Sequence, residues 1–164
     1  MPGPHSKEVL ITRILDAPRQ QVFNAWTDPK QLAQWWGPEN FTNPVCLLNL
    51  MPGGGMYIVM HAPDGTDYPM NGMFLDIIVP ELLVFTSGVF EDRMGINQLE
   101  LQHTVIFEED DDYTRLTVHS VVTRAAPGMQ AALERISDGW TESLARLVQV
   151  LKRYPDSKIN HVKP

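Results

Sequence analysis

One cysteine, Cys46, stands among the 164 residues, so an intramolecular disulfide and a cysteine-based structural zinc site are both excluded. Positive charge is also scarce. Thirteen Lys and Arg face 20 Asp and Glu, a formal net charge of -7, and no compact basic cluster offsets it locally. Such a surface repels phosphate backbones, and nucleic acid is not an expected partner. No apolar run reaches the length of a membrane-spanning helix, and Met1-Pro2-Gly3-Pro4-His5 lacks a signal peptide's apolar segment. The expectation is a cytoplasmic protein with no membrane insertion. Internal repeats, low-complexity tracts and domain linkers are missing. So are the short motifs of nucleophilic and phosphate chemistry: there is no G-x-S-x-G elbow, and Pro52-Gly53-Gly54-Gly55 runs into a strand without the Lys-Ser/Thr of a P-loop. His61, His103 and His119 do not fall at the short spacings of metal sites, and Cys46 within a strand reads as buried and inert. No metal, cofactor or catalytic residue is called for.

What remains is ordinary globular material, 43% hydrophobic and 20% charged, enough for one domain with a substantial core. Its longest patterned stretch is Pro127 to Arg153. There Met129, Leu133, Ile136, Trp140, Leu144, Leu147 and Leu151 recur at steps of three and four, an apolar stripe along one helix of roughly 40 Å. Pro127 suits its first turn, Lys152 and Arg153 suit its negative end, and Tyr154-Pro155 disfavours continuation. Glu142 and Arg146 fall on the opposite, solvent side. Gly139 is the exception, because glycine in mid-helix costs about 1 kcal/mol relative to alanine. Beside Trp140 it marks either a packing notch against a strand or the wall of a cavity.

Ahead of that helix the chain reads as a strand from Glu8 to Leu15, two short helices carrying Trp26, Trp35 and Trp36, and then strands punctuated by turns. The strands are Val45–Leu50, Met56–His61, Tyr68–Val79, Leu82–Ser87, Asn97–Glu108 and Tyr113–Val122, with an acidic hairpin tip at Glu109 to Asp112. Short connections favour an antiparallel meander, so the expected class is α+β: about seven strands in a curved sheet wrapped on the C-terminal helix. The domain spans 8–153, between terminal tails 1–7 and 154–164.

Ile11-Thr12-Arg13, Asp16-Ala17-Pro18, Val22-Phe23-Asn24-Ala25-Trp26-Thr27-Asp28-Pro29, Leu32-Ala33-Gln34-Trp35-Trp36-Gly37-Pro38, Pro52-Gly53-Gly54, Pro63-Asp64-Gly65, Thr114-Arg115-Leu116-Thr117 and Gly139-Trp140 follow one another in a recognisable order and spacing. In these the chain resembles the bacterial family similar to the C-terminal domain of the activator of the heat-shock protein 90 ATPase, within the START-like (SRPBCC) superfamily. The resemblance runs from Glu8 to Arg153. It implies the helix-grip fold and a pocket between sheet and helix, but it names no substrate, because that pocket serves many functions across the superfamily. The namesake carries a separate N-terminal domain for which this chain has no room, so ATPase stimulation is not carried over. Leu47 and Met51 stand where the family pattern commonly has charged residues; exposed, they would form an apolar patch suited to homodimerisation. Met56 stands where a large aromatic is expected, which would enlarge or soften the cavity wall.

Strand alternation selects the side chains that face such a cavity. Leu99, Leu101, His103, Val105 and Phe107 turn the same way, as do Met56, Ile58 and Met60, with Leu116 and Val118 opposite and Leu83 and Phe85 beside them. The expected lining is Trp35, Met56, Ile58, Met60, Phe85, His103, Val105, Leu116, Val118, Trp140 and Leu144, rich in adaptable methionine. His103 is its one titratable member: either a core histidine bonded to a neighbour, or a neutral ring that orients a ligand or acts as a base. Three functions fit this picture. The first is binding of a small hydrophobic or amphipathic molecule, the second a cyclase or aromatase-type enzyme with His103 and a nearby hydroxyl steering an enolate, and the third a chaperone-associated interaction domain.

Overall fold

Apolar residues alternate with polar ones along Asn97–Asp110, and a strand with one buried face has its register fixed by that alternation, since a slip of one residue would turn every apolar side chain to solvent. The computed structural model, which describes residues 7–153, shows the consequence. Leu99, Leu101, His103, Val105 and Phe107 are all buried. The strand is β6 of seven: β1 (Glu8–Leu15), β2 (Thr42–Leu48), β3 (Gly55–His61), β4 (Asp67–Ile78), β5 (Leu82–Glu91), β6 and β7 (Tyr113–Ala125). All pair antiparallel in one curved sheet of order β1-β7-β6-β5-β4-β3-β2, with β1 crossing over to join β7. Between β1 and β2 lie α1 (Arg19–Thr27) and α2 (Pro29–Trp35), and after β7 come α3 (Gln130–Glu134) and α4 (Ile136–Arg153). This is the helix-grip arrangement, with the sheet closed around α4.

One core unites sheet and helices. Trp140, Leu144, Leu147, Val150 and Leu151 of α4 pack with Val9, Ile11, Ile58, Phe85, Val105, Phe107, Leu116 and Val118 of the sheet and with Val22, Phe23, Trp26, Leu32 and Trp35 of the short helices. Trp26 is its hub, stacked on Trp140 at 5.8 Å and set edge-on to Trp35 at 4.7 Å. The lone thiol of Cys46 is half-buried on β2, and burial raises its pKa to about 11, so it stays protonated. Leu47 and Met51 are exposed, as are their neighbours Leu50 and Tyr57.

Three features depart from the periodicity. The C-terminal helix is two helices, because Gly128 adopts φ +94°, incompatible with a helix begun at Pro127, and Arg135 (φ -97°, ψ -5°) breaks the turn between α3 and α4. The break lets Leu133 join a separate small cluster with Leu99 and Leu101 while α4 follows the main core. Arg146, expected on the solvent side, is instead partly buried. Its guanidinium donates to the carbonyls of Gln34, Trp36, Gly37, Pro38 and Phe41 at 2.9–3.1 Å, tying the whole α2–β2 connection to α4. The strands also run further than their apolar patterns: β5 continues to Glu91 and β7 to Ala125. Tyr154-Pro155 and both terminal tails, apart from Lys7, lie outside the described residues. Among those described, no helix is long and apolar enough to cross a membrane.

Candidate functional site

At one end of the groove between sheet and α4, the packing leaves a cleft of about 190 Å³. Its wall has four sources. The α2–β2 connection gives Trp36, Gly37 and Pro38; β3 and β4 give Met60 and Met70; β5 and β6 give Ser87, Leu101 and His103; and α4 gives Ile136, Gly139, Trp140 and Ser143. None of these residues carries a formal charge at neutral pH.

The connection that forms the first side is held from α4. The Ser143 hydroxyl donates to the Gly37 carbonyl at 3.0 Å and accepts the Gly37 amide at 3.1 Å. The Glu142 carboxylate accepts the amide of Glu39, and Arg146 collects the carbonyls on either side. Gly37 adopts φ +94°, a left-handed conformation that a side chain would strain, which lets the chain turn sharply out of α2. The same exit decides the tryptophans. Trp35 is the last residue of α2, fully buried with its indole N–H on the Ala25 carbonyl at 2.9 Å, whereas Trp36 has left the helix for extended backbone and faces the cleft.

Opposite stands a polar triplet. His103 Nε2 lies 2.8 Å from Ser87 Oγ, and His103 Nδ1 lies 2.7 Å from Ser120 Oγ. All three residues are buried, with Ser120 beside His103 across the β6–β7 pairing. Neutral imidazole has one donor and one acceptor, so in either tautomer one serine donates to the ring and the other accepts from it. Phe85 and Trp140 flank the ring at 4.7 and 5.4 Å between centroids. Burial among these groups, with no carboxylate partner, pushes the imidazole pKa down from 6.5 to about 3. The ring is therefore neutral in the fold but protonated in the unfolded chain between those two values. As pH falls below about 6.5 the unfolded state takes up a proton that the folded state refuses, and stability drops; above 6.5 this contribution is constant. Unfolding free energies of the wild type and His103→Gln, compared from pH 7.5 to 5, should show the wild type losing about 1.4 kcal/mol per pH unit relative to the variant below 6.5. Parallel curves would show that the ring titrates normally.

Gly139 has an open side. A Cβ built on it meets no atom within 4 Å, and the position is part of the cleft wall, so of the two sequence alternatives it is the cavity wall that the structure shows. Of the lining expected from alternation, Met60, His103 and Trp140 reach the cleft. Trp35, Met56, Ile58, Phe85, Val105, Leu116, Val118 and Leu144 pack in the core instead, leaving the cleft smaller and displaced toward the α2–β2 connection. Trp36, Gly37, Pro38, Met70, Ile136 and the serines were not anticipated. Carrying alternation through Leu83, Phe85, Ser87 and through Leu116, Val118, Ser120 would have found both hydroxyls beside His103. Among the described residues no three His, Cys, Asp or Glu side chains converge as a metal site would require.

Related structures share this frame. A Nitrosomonas europaea protein is 26% identical with a TM-score of 0.74, covering 89% of this chain and 94% of that one. An Arthrobacter aurescens protein is 27% identical with a TM-score of 0.77, covering 89% and 86%. The AHSA1 protein from Silicibacter pomeroyi is 25% identical with a TM-score of 0.72, covering 89% and 98%. No curated protein matches the sequence. The model of the family described as Activator of Hsp90 ATPase homolog 1-like protein matches residues 16–152, from the turn after β1 to the last turn of α4, and the chain therefore belongs to that family.

Proposed function

We propose that the cleft holds a small hydrophobic or amphipathic molecule. The observation that carries this reading is the open space at Gly139: the break at Arg135 places this glycine in the first turn of α4, where a Cβ would meet no atom within 4 Å, and that space belongs to a cleft lined by Trp36, Trp140, Met60 and Met70. A packing glycine would have a neighbour where its Cβ belongs. The enzyme reading finds less support. His103 is backed by Ser120 where a nucleophile-activating histidine has a carboxylate to stabilise its charged form, and a ring with a pKa near 3 is a weak base.

The test follows from the same residue. A leucine at position 139 projects into the cleft without meeting another atom at Cβ, so Gly139→Leu should fold and fill the site. Trp36 and Trp140 report occupancy through their emission. Indane, a neutral bicyclic hydrocarbon, is expected to change the tryptophan emission of the wild type in a saturable way and to have no such effect on the leucine variant. An unresponsive wild type, or a variant that responds equally, would refute the proposal.

A further inference from the structure

We infer that the cleft selects an uncharged one- or two-ring molecule bearing a single hydroxyl or carbonyl, and that Ser87 is the residue that reads this polar group. The inference rests on the binding reading above and narrows it to a chemical class.

Size comes first. A cleft of about 190 Å³ lies below the 300–1,000 Å³ typical of sites for drug-sized ligands and not far above the roughly 150 Å³ of an apolar cavity that takes up benzene. One ring or a compact fused pair fills it, and a long acyl chain or a steroid would leave most of its body outside. Indole faces and thioethers on the wall suit a flat apolar body.

Polarity comes second. Of the two hydroxyls on the wall, Ser143 both donates to and accepts from Gly37. Ser87 has one partner, His103, and retains hydrogen-bonding capacity toward the cleft. Its character is adjustable. When Ser87 donates to Nε2, its oxygen lone pairs are left to accept from a ligand hydroxyl, and Nδ1–H donates to Ser120. When Nε2–H donates to Ser87, the Ser87 hydroxyl can donate to a ligand carbonyl, and Ser120 donates to Nδ1. The two states are the two neutral tautomers of His103, each with its serine hydroxyls turned to match and equal in charge, so an alcohol and a ketone each find a complementary arrangement.

Charge comes third. No cationic side chain lies on the wall, and the guanidinium of Arg146 is engaged by five backbone carbonyls behind it. A carboxylate brought into this cleft would lose its hydration and find a hydroxyl in exchange, a large penalty for an ion.

Four ligands on one skeleton separate these claims: indane, indan-1-ol, indan-1-one and indane-1-carboxylate, titrated calorimetrically at pH 7 into the wild type and Ser87→Ala. The alcohol and the ketone should bind about three- to tenfold more tightly than indane, the worth of one net hydrogen bond. The carboxylate should bind at least tenfold more weakly than the alcohol. Ser87→Ala should bring alcohol and ketone to the level of indane while indane itself still binds, which also shows that the variant is folded. If indane binds and the alcohol gains nothing, or keeps its gain in Ser87→Ala, the role of Ser87 is overturned while the cleft reading stands. Tightest binding by the carboxylate would overturn the selection for neutral ligands. Failure of all four to bind would overturn the binding reading itself.

Discussion

Trp140→Ala is expected to lower the unfolding free energy by about 3 to 5 kcal/mol in urea or guanidinium titrations, the range of large aromatic deletions in cores. The indole is 7% exposed and touches three elements at once: stacked on Trp26 of α1, edge-on to Trp36 after α2, and 5.4 Å from His103 on β6. Removing it takes away a side chain through which α4 meets α1, the α2–β2 connection and the polar triplet. The resulting void opens onto the existing cleft, so neighbouring side chains cannot close it by a small shift. A loss below about 1 kcal/mol would show that the apolar stripe of α4 is not what holds the sheet around it.

How far the sequence reveals this arrangement depends on whether a residue's surroundings are local. The class, the seven strands and the inward face of β6 are legible because a strand with one buried face writes its phase into alternate residues, and Leu99 to Phe107 do so without interruption. On β5 the phase is obscured, since Leu82, Leu83, Val84 and Phe85 are apolar on both faces, and the pattern fades at Ser87 although the strand continues to Glu91. Trp35 and Trp36 are indistinguishable as neighbours in sequence. Which one meets the cleft depends on the residue at which α2 stops, and a shift of one residue reverses the answer. Arg146 is the plainest case. A long cation on a helix flank reads as solvated, and nothing near it in the chain announces carbonyls more than 100 residues earlier as its partners. Gly139 was legible as an anomaly but not as to cause, because a notch and an open wall leave the same residue in the sequence.

His103→Leu is expected to cost about 1 to 3 kcal/mol, and the reason lies in its partners more than in the ring. Leucine fills a similar volume among Phe85 and Trp140, so the packing term is small. Both serines lose their bond, but unequally. Ser87 borders the cleft and can turn to water, whereas Ser120 is 1% exposed and is left with an unsatisfied hydroxyl, a loss of about 1 to 3 kcal/mol for such a group. Removing both members of a buried pair is cheaper than removing one. His103→Leu combined with Ser120→Ala should therefore recover most of the loss, and the coupling between the two positions should exceed about 1 kcal/mol. Urea unfolding of the wild type, the two single variants and the double variant at pH 7.5 measures that coupling with the imidazole neutral in the fold. Additive losses would mean that the 2.7 Å contact between Nδ1 and Ser120 contributes nothing, and the ring would then be held by shape alone. Strong coupling would show that the triplet fixes the orientation in which His103 supports Ser87 at the cleft wall.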